Sequence, residues 1–299
     1  MSYAQVLGAV EQALASAGLD RVKGKVLFVD STNAKAVNST QAGKSARFPL
    51  ATIDYAIGRC TANAGDTIVV LPGHTETITA AGGITLDVAG VSIVGVGNQR
   101  NRPTINYTTS TAGTFLVTAA NCAVHNVVFN MTGIDAVASG IAVQAAGFSL
   151  LGCEVIHATA SGQATVGLLT TAGADRLRID GCRFVGTSDA GTATAIRIVG
   201  GDGITISNNF IFGAYTDTLG GIENNTTAAT RLLIENNTIV NLTGTSTKAI
   251  VVDANTTGVV RNNSLGIRSG TAPITGNGLN FVGGNYYKAA LGVGAGTLL

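Results

Sequence analysis

The 299 residues contain no tryptophan, and aromatic residues of all kinds reach only 5%. Little material is left for the ring platforms that cover sugar faces in an extended glycan groove. Charged residues make up 12%, about half the usual share. They are balanced, 18 Lys+Arg against 17 Asp+Glu, a formal net charge of +1. No basic or acidic excess points to nucleic acid or to an anionic membrane surface. No apolar run approaches the roughly 20 residues of a membrane-spanning helix, and Met1 is not followed by a charged and then apolar signal segment. The four cysteines (Cys60, Cys122, Cys153, Cys182) form no CxxC pair, and there are only three histidines, His74, His125 and His157. Neither a zinc site nor any other metal centre is expected, and the cysteines read as buried thiols in a reducing compartment.

What is present is glycine and apolar residues. The 40 glycines are roughly twice the average share. Hydrophobic residues reach 45%, enough for a large core and too many for a disordered chain. Gly, Thr, Asn, Val and Ile in place of Lys and Glu suit short strands and tight turns.

One short pattern recurs: an aliphatic residue, two variable residues, then Asn, Cys or Val, then an apolar residue two positions on. It occurs from Val124 to Phe129, Leu150 to Val155, Ile179 to Phe184, Ile206 to Ile211, Ile234 to Ile239 and Val260 to Leu265. The stretch Val282-Gly-Gly-Asn285-Tyr-Tyr287 is one more copy. From Val124 the leading residues are spaced 26, 29, 27, 28, 26 and 22. Ile141, Leu168, Ile196, Ile222 and Ile250 keep the same beat, at 27, 28, 26 and 28. Ile68 and Ile93 extend the leading column upstream. A period of this length with two or three short strands per repeat predicts a β-solenoid. About nine coils stacked at 4.8 Å would make a rod of roughly 38 Å.

Upstream of the repeats, Tyr3, Val6, Leu7, Val10 and Leu14 recur at helical spacing, so about 3–17 is predicted to be an amphipathic helix. Lys25 to Asp30 reads as a strand, 31–47 as a polar loop, and about 50–60 as a second helix through Leu50, Ile53, Ile57 and Cys60. The expected organisation is a helical arm at 1–24, a strand, loop and capping helix at 25–66, a parallel β-helix at 67–290 and a tail at 291–299. That tail carries no charged side chain. It is expected to cover the final coil or to dock on a neighbouring subunit.

The stretch Phe48-Pro-Leu-Ala-Thr-Ile-Asp-Tyr-Ala-Ile57, followed by Gly65-Asp-Thr-Ile-Val-Val-Leu-Pro-Gly73-His-Thr-Glu76, resembles the opening motif of pectate-lyase-like right-handed parallel β-helix proteins. The resemblance implies an all-β, single-stranded, right-handed parallel β-helix whose first coil is closed by a short helix. The form Cys60-Thr-Ala-Asn63-Ala-Gly-Asp66 with Pro72-Gly-His74 is most similar to tailed-bacteriophage virion proteins of this type. Enzymes of the superfamily cluster acidic calcium ligands with a basic residue on one face. No such acidic stack occurs here, so lyase activity does not carry over.

Candidate residues were weighed on the repeat lattice. Asn209, Asn237, Asn263 and Asn285 fall in one column and read as a structural amide ladder at a coil corner. The outward position after each leading aliphatic holds His125, Leu151, Asp180, Ser207, Glu235 and Arg261. Asp180 and Glu235, two coils apart at roughly 9–10 Å, are the best acid pair on offer. Glu235 beside Arg261, and Glu154 beside Arg183, read instead as charge pairs on a solvated face. Tyr3, Val6, Leu7, Val10 and Leu14 are the candidate attachment or oligomerisation stripe. The alternative is that this helix folds back along its own solenoid. The expectation is a non-enzymatic virion protein without cofactor, a capsid decoration protein, assembled in the bacterial cytoplasm. Its expected partners are itself, as a homotrimer, and the phage capsid protein. The other reading is a tail fibre or tailspike that binds or cleaves host polysaccharide.

Overall fold

The recurring aliphatic residues lie directly over one another. In the first sheet, Leu27, Ile68, Ile93, Val124, Leu150, Ile179, Ile206, Ile234 and Val260 are successive register partners, every pair parallel. In the second, Ile105, Phe129, Val155, Phe184, Ile211, Ile239 and Leu265 stack likewise. In the third, Ile84, Phe115, Ile141, Leu168, Ile196, Ile222 and Ile250 do so. All of these residues are buried and belong to one continuous core. No single coil has a second layer to bury its inward side chains, so the neighbour in the stack supplies it.

This computed structural model describes residues 3–16, 23–159, 162–187, 192–215, 219–224, 227–243, 248–268, 272–276, 278–288 and 297–298. The chain is an all-β parallel solenoid with few helices. The first and second sheets have ten strands each and the third has eight. Eight strands make seven steps, so the fully closed solenoid completes about seven turns, fewer than the nine coils expected. The difference lies at the ends. The first rung, Val26–Val29, is followed by a loop and helix in place of further strands. Among the described residues, the last rung adds strands to the first and second sheets only.

Strand Val26–Val29 pairs in register with Thr67–Val70, so the first sheet already begins inside the 25–66 segment. The short helix α2 (Ile53–Ile57) is narrower than 50–60. Thr52 is extended at φ −132° and its hydroxyl accepts from the Tyr55 amide, which starts the helix. Leu50 instead bridges Val29 as extended chain. Leu50, Ile53 and Ile57 are buried in the solenoid core, closing the first coil.

The first-coil motif is a set of fasteners for that cap. The buried Asp66 carboxylate accepts from the amides of Lys25 (2.6 Å) and Thr61 (2.7 Å). Buried His74 takes the Ser31 amide on Nδ1 (2.9 Å) and lies 3.2 Å from Glu76 through Nε2. Glu76 in turn accepts the first amide of α2, from Ile53 (2.8 Å).

Helix α1 (Tyr3–Ser16) does not stand free of the solenoid. Val10 is buried at 5% exposure in a second cluster with Ala46, Val69, Leu71 and Val96, and Ala9, Ala13 and Leu14 pack beside it. Val69 and Val96 belong to the outward side of the first sheet. The described part of the helix thus lies along its own solenoid. The side chains of Tyr3, Val6 and Leu7 lie outside the described residues. At the other end, Thr297–Leu298 returns antiparallel to Tyr286–Tyr287 and lengthens the second sheet. Residues 291–296 of the expected tail lie outside the described set.

Candidate functional site

The corner after the first sheet is built by a two-residue device. In each coil a residue of positive φ turns the chain, and the next one points inward. The turning residues are Asn126 (φ 55°), Gly152 (57°), Gly181 (63°), Asn208 (58°), Asn236 (56°), Asn262 (55°) and Gly284 (65°). Only glycine and asparagine visit this left-handed region readily, which explains the Asn-Asn, Gly-Cys and Gly-Asn pairs. The pattern of two "variable" residues missed this: the second of them is restricted to Asn or Gly.

The inward residues are Val127, Cys153, Cys182, Asn209, Asn237, Asn263 and Asn285, all buried. In three of the four asparagines the Oδ1 accepts twice from the preceding rung. Asn237 Oδ1 takes the Asn209 backbone amide and Nδ2, both at 2.9 Å. Asn263 does the same for Asn237 (2.9 and 3.0 Å) and Asn285 for Asn263 (2.9 and 2.9 Å). Asn209 closes the series on the Cys182 amide (2.8 Å). Each Nδ2 also donates to a carbonyl further back, Ile179, Ile206, Ile234 and Val260 respectively. Every polar atom of these amides is used internally, so the ladder offers nothing to a ligand. Cys153 and Cys182 are free thiols that donate to the Val124 and Leu150 carbonyls. Burial pushes the Cys182 thiol well above its ordinary value.

Neighbouring asparagines of one coil therefore do different work, and this is testable. Asn237→Ala orphans two buried donors of Asn209 and should cost about 3–5 kcal/mol. Asn236→Gly keeps the left-handed turn and should shift stability by less than about 1 kcal/mol. Chemical denaturation of the two variants checks the contrast; equal losses would remove the division of labour.

The outward column lines a groove. Where α1 ends, a cavity of about 650 Å³ is bounded by Ala13, His125, Leu151, Arg178, Asp180 and the bare backbone of Gly152 and Gly181. Burial, with Arg178 adding to it, pulls the His125 pKa down from 6.5, so its imidazole is neutral at neutral pH. Asp180 accepts from Arg178 (2.7 Å), Ser207 (2.9 Å) and Asn208 (2.7 Å). Partial burial raises its pKa, but those bonds, Asn208 and Ser207 foremost, outweigh it and hold the carboxyl below 3.8. A carboxylate so held is a poor proton donor. Glu235 is two register steps away, through Ser207, and is bound to Arg261 at 2.8 Å. The lattice thus brings the predicted acids onto one face and pairs each with an arginine. Glu154 pairs with Arg183 as expected (3.4 Å), and also with Arg102 (3.4 Å).

Two arrangements went unsignalled in the sequence. On the third sheet, Arg197 donates to the buried carboxylate of Glu223 at 2.6 Å. At the end of the second sheet, His157 is wholly buried, with Nε2 3.0 Å from the Tyr215 hydroxyl and Nδ1 3.3 Å from that of Thr192. Gly186 and Gly213 make room for the ring, since a Cβ on either would sit 2.5 or 2.9 Å from its Cε1. Among the described residues no group of three or more His, Cys, Asp or Glu side chains could hold a metal ion. Among them, too, no helix is long and apolar enough to cross a membrane.

These features define a parallel β-solenoid closed by a helix, with the acids Glu154, Asp180, Asp202, Glu223 and Glu235 each held by an arginine of the same chain. No family profile matches the chain, and no curated protein matches it. Among solved structures it is similar to a protein of Geobacillus virus E2 described as ORF18, with 12% identity and a TM-score of 0.46. The likeness covers 92% of this chain and 64% of that one, so the chain spans less than two thirds of the viral protein's length. It is a likeness of overall shape, and no function is drawn from it.

Proposed function

We propose that the chain is a non-enzymatic structural protein of a bacteriophage particle, a capsid decoration protein that assembles as a homotrimer on the phage capsid in the bacterial cytoplasm. The observation that supports absence of catalysis is the state of Asp180 and Glu235. Both of the acids best placed for glycan chemistry are consumed by hydrogen-bonded arginines. Inverting glycosidases need one carboxyl kept protonated and the other free to activate water; the Asp180 carboxyl is instead held below its ordinary pKa, and Glu235 is bound to Arg261. Support for the phage class comes from the first-coil motif, Cys60 to Asp66 with Pro72-Gly-His74, and from a rigid, nearly neutral rod suited to display. The preference of parallel crossovers for one hand favours a right-handed helix.

The tail-fibre reading keeps one observation in its favour, the groove beside His125, Arg178 and Asp180. One experiment separates the two. Purified protein should leave host capsule and lipopolysaccharide intact, and Asp180→Asn with Glu235→Gln should leave particle assembly unchanged. Glycan cleavage that disappears in the double variant would overturn the decoration reading. Light scattering of the purified chain should give three copies; a monomer would remove the trimer from it.

A further inference from the structure

A loop of about twenty residues between strand Val26–Val29 and helix α2 buries Ala42, Ala46 and Leu50 and leaves most of its other side chains exposed or half-buried. Connections this long are uncommon in compact domains unless they carry a function, and ordering one is entropically costly. Here side chains do the ordering. Asp30 accepts from the amide and hydroxyl of Thr32, and Asn33 from the Lys35 amide. Asn38 accepts from the amides of Ala51 and Thr52 and donates to the Thr52 hydroxyl. The Arg59 guanidinium gathers the carbonyls of Ser39, Thr40 and Ala42 within 3.0 Å.

This frame holds out two of the five large apolar side chains exposed among the described residues; the other three, Phe281, Val282 and Tyr286, are on the last rung. Phe48 is 47% exposed and Val37 52%. Lys35 Nζ lies 5.0 Å and the Arg47 guanidinium 5.6 Å from the centre of the Phe48 ring. Residues 31–48 contain three cations, Lys35, Lys44 and Arg47, and no acid. All three are exposed, and none has an ion-pair partner among the described residues. Elsewhere the arginines Arg102, Arg178, Arg183, Arg197, Arg231 and Arg261 each hold a carboxylate. An exposed aromatic beside an arginine is the composition of an interface centre, and the lysines suit its polar rim.

We propose that this loop is a docking surface for an acidic patch of another protein, with Phe48 entering an apolar pocket and Lys35, Lys44 and Arg47 meeting its carboxylates. The inference rests on the reading that the chain attaches to a particle, and it names the attaching surface. Val10 and Leu14 of α1 are packed on their own solenoid and are not free to do this. A second copy fits less well: Glu154, Asp180, Asp202, Glu223 and Glu235 are committed to arginines of their own chain, and among the described residues no three acids gather closely enough to hold even a metal ion. Nucleic acid fits poorly. Three cations neutralise about three phosphates, too few for firm backbone binding, and an exposed valine adds nothing there.

The test is a full-length chain with Phe48→p-benzoylphenylalanine, made in infected cells, irradiated and digested to map the adduct. The expected adduct is a carboxylate-rich segment of another virion protein. Adding Lys35→Glu with Arg47→Glu should reduce it about tenfold or more. The side chains are exposed, so both proteins should melt as the parent does. An adduct to another copy of the chain or to nucleic acid overturns the inference. So does a particle that carries the labelled protein without any adduct, and that result leaves the virion reading standing. An adduct to an acidic cellular protein, with none of the chain on particles, keeps the docking surface and overturns the virion reading.

Discussion

Ile206→Asp should abolish the cooperative melt near room temperature or lower stability by several kcal/mol. Ile206 is fully buried between Ile179 and Ile234 in the middle of the first-sheet column. A carboxylate there has neither water nor a cation to meet, and both neighbours lose their packing partner. The damage should stay cooperative, because each coil is the surface on which the next is buried. Thermal denaturation followed by circular dichroism reads the effect directly. A variant that melts with the parent would mean that the column is not the core.

The second large effect is a loss of stability in acid that begins well above the carboxylate range. Burial pulls the His157 pKa from 6.5 down to about 3. Above pH 6.5 folded and unfolded chains both carry a neutral imidazole, and the residue contributes no pH dependence. Below it the unfolded chain takes up a proton that the folded chain refuses until about pH 3. Stability should therefore fall by about 1.4 kcal/mol per pH unit across that window, from this residue alone. His125, whose pKa is also lowered, adds a loss in the same direction. Asp180 and Asp202 do not interfere above pH 4.5. Their pKa values are lowered, so the stability they bring is lost only as pH falls below 3.8. Urea melts at pH 6.5 and 4.5 should show His157→Gln losing about 2–3 kcal/mol less than the parent. Parallel losses would mean that the folded chain accepts the proton without opening.

The columns could be read before any coordinates because stacking makes each inward position repeat its chemistry at the coil period. Leu50, Ile53 and Ile57 were legible as a cap for a different reason: apolar residues spaced as in a helix stand shortly before strand Thr67–Val70, although Leu50 itself is extended. The placement of α1 was less plain, although a signal exists. Val69 and Val94 occupy the outward column of the first sheet, where later coils carry His125, Leu151, Asp180, Ser207, Glu235 and Arg261. The two successive apolar outward residues of the early rungs mark where the helix covers the sheet. The Arg197–Glu223 pair and the His157 cluster left no such trace. Thr192 and Tyr215 are not the positions in register with His157, which are Gly186 and Gly213, so the coil period does not tie them to it. Similarly, Lys35, Arg47 and Phe48 come together through the shape of an irregular loop, which periodicity does not describe.

The asparagine ladder makes the length of this rod a whole number. Each amide needs a donor at the preceding coil and a carbonyl behind it, so a fraction of a coil has nowhere to bond. Gain or loss of one entire repeat, by contrast, restores every partner across the join. A chain built this way can change its reach during evolution in discrete increments of about 4.8 Å. The surfaces at its two ends stay as they are while the distance between them is adjusted.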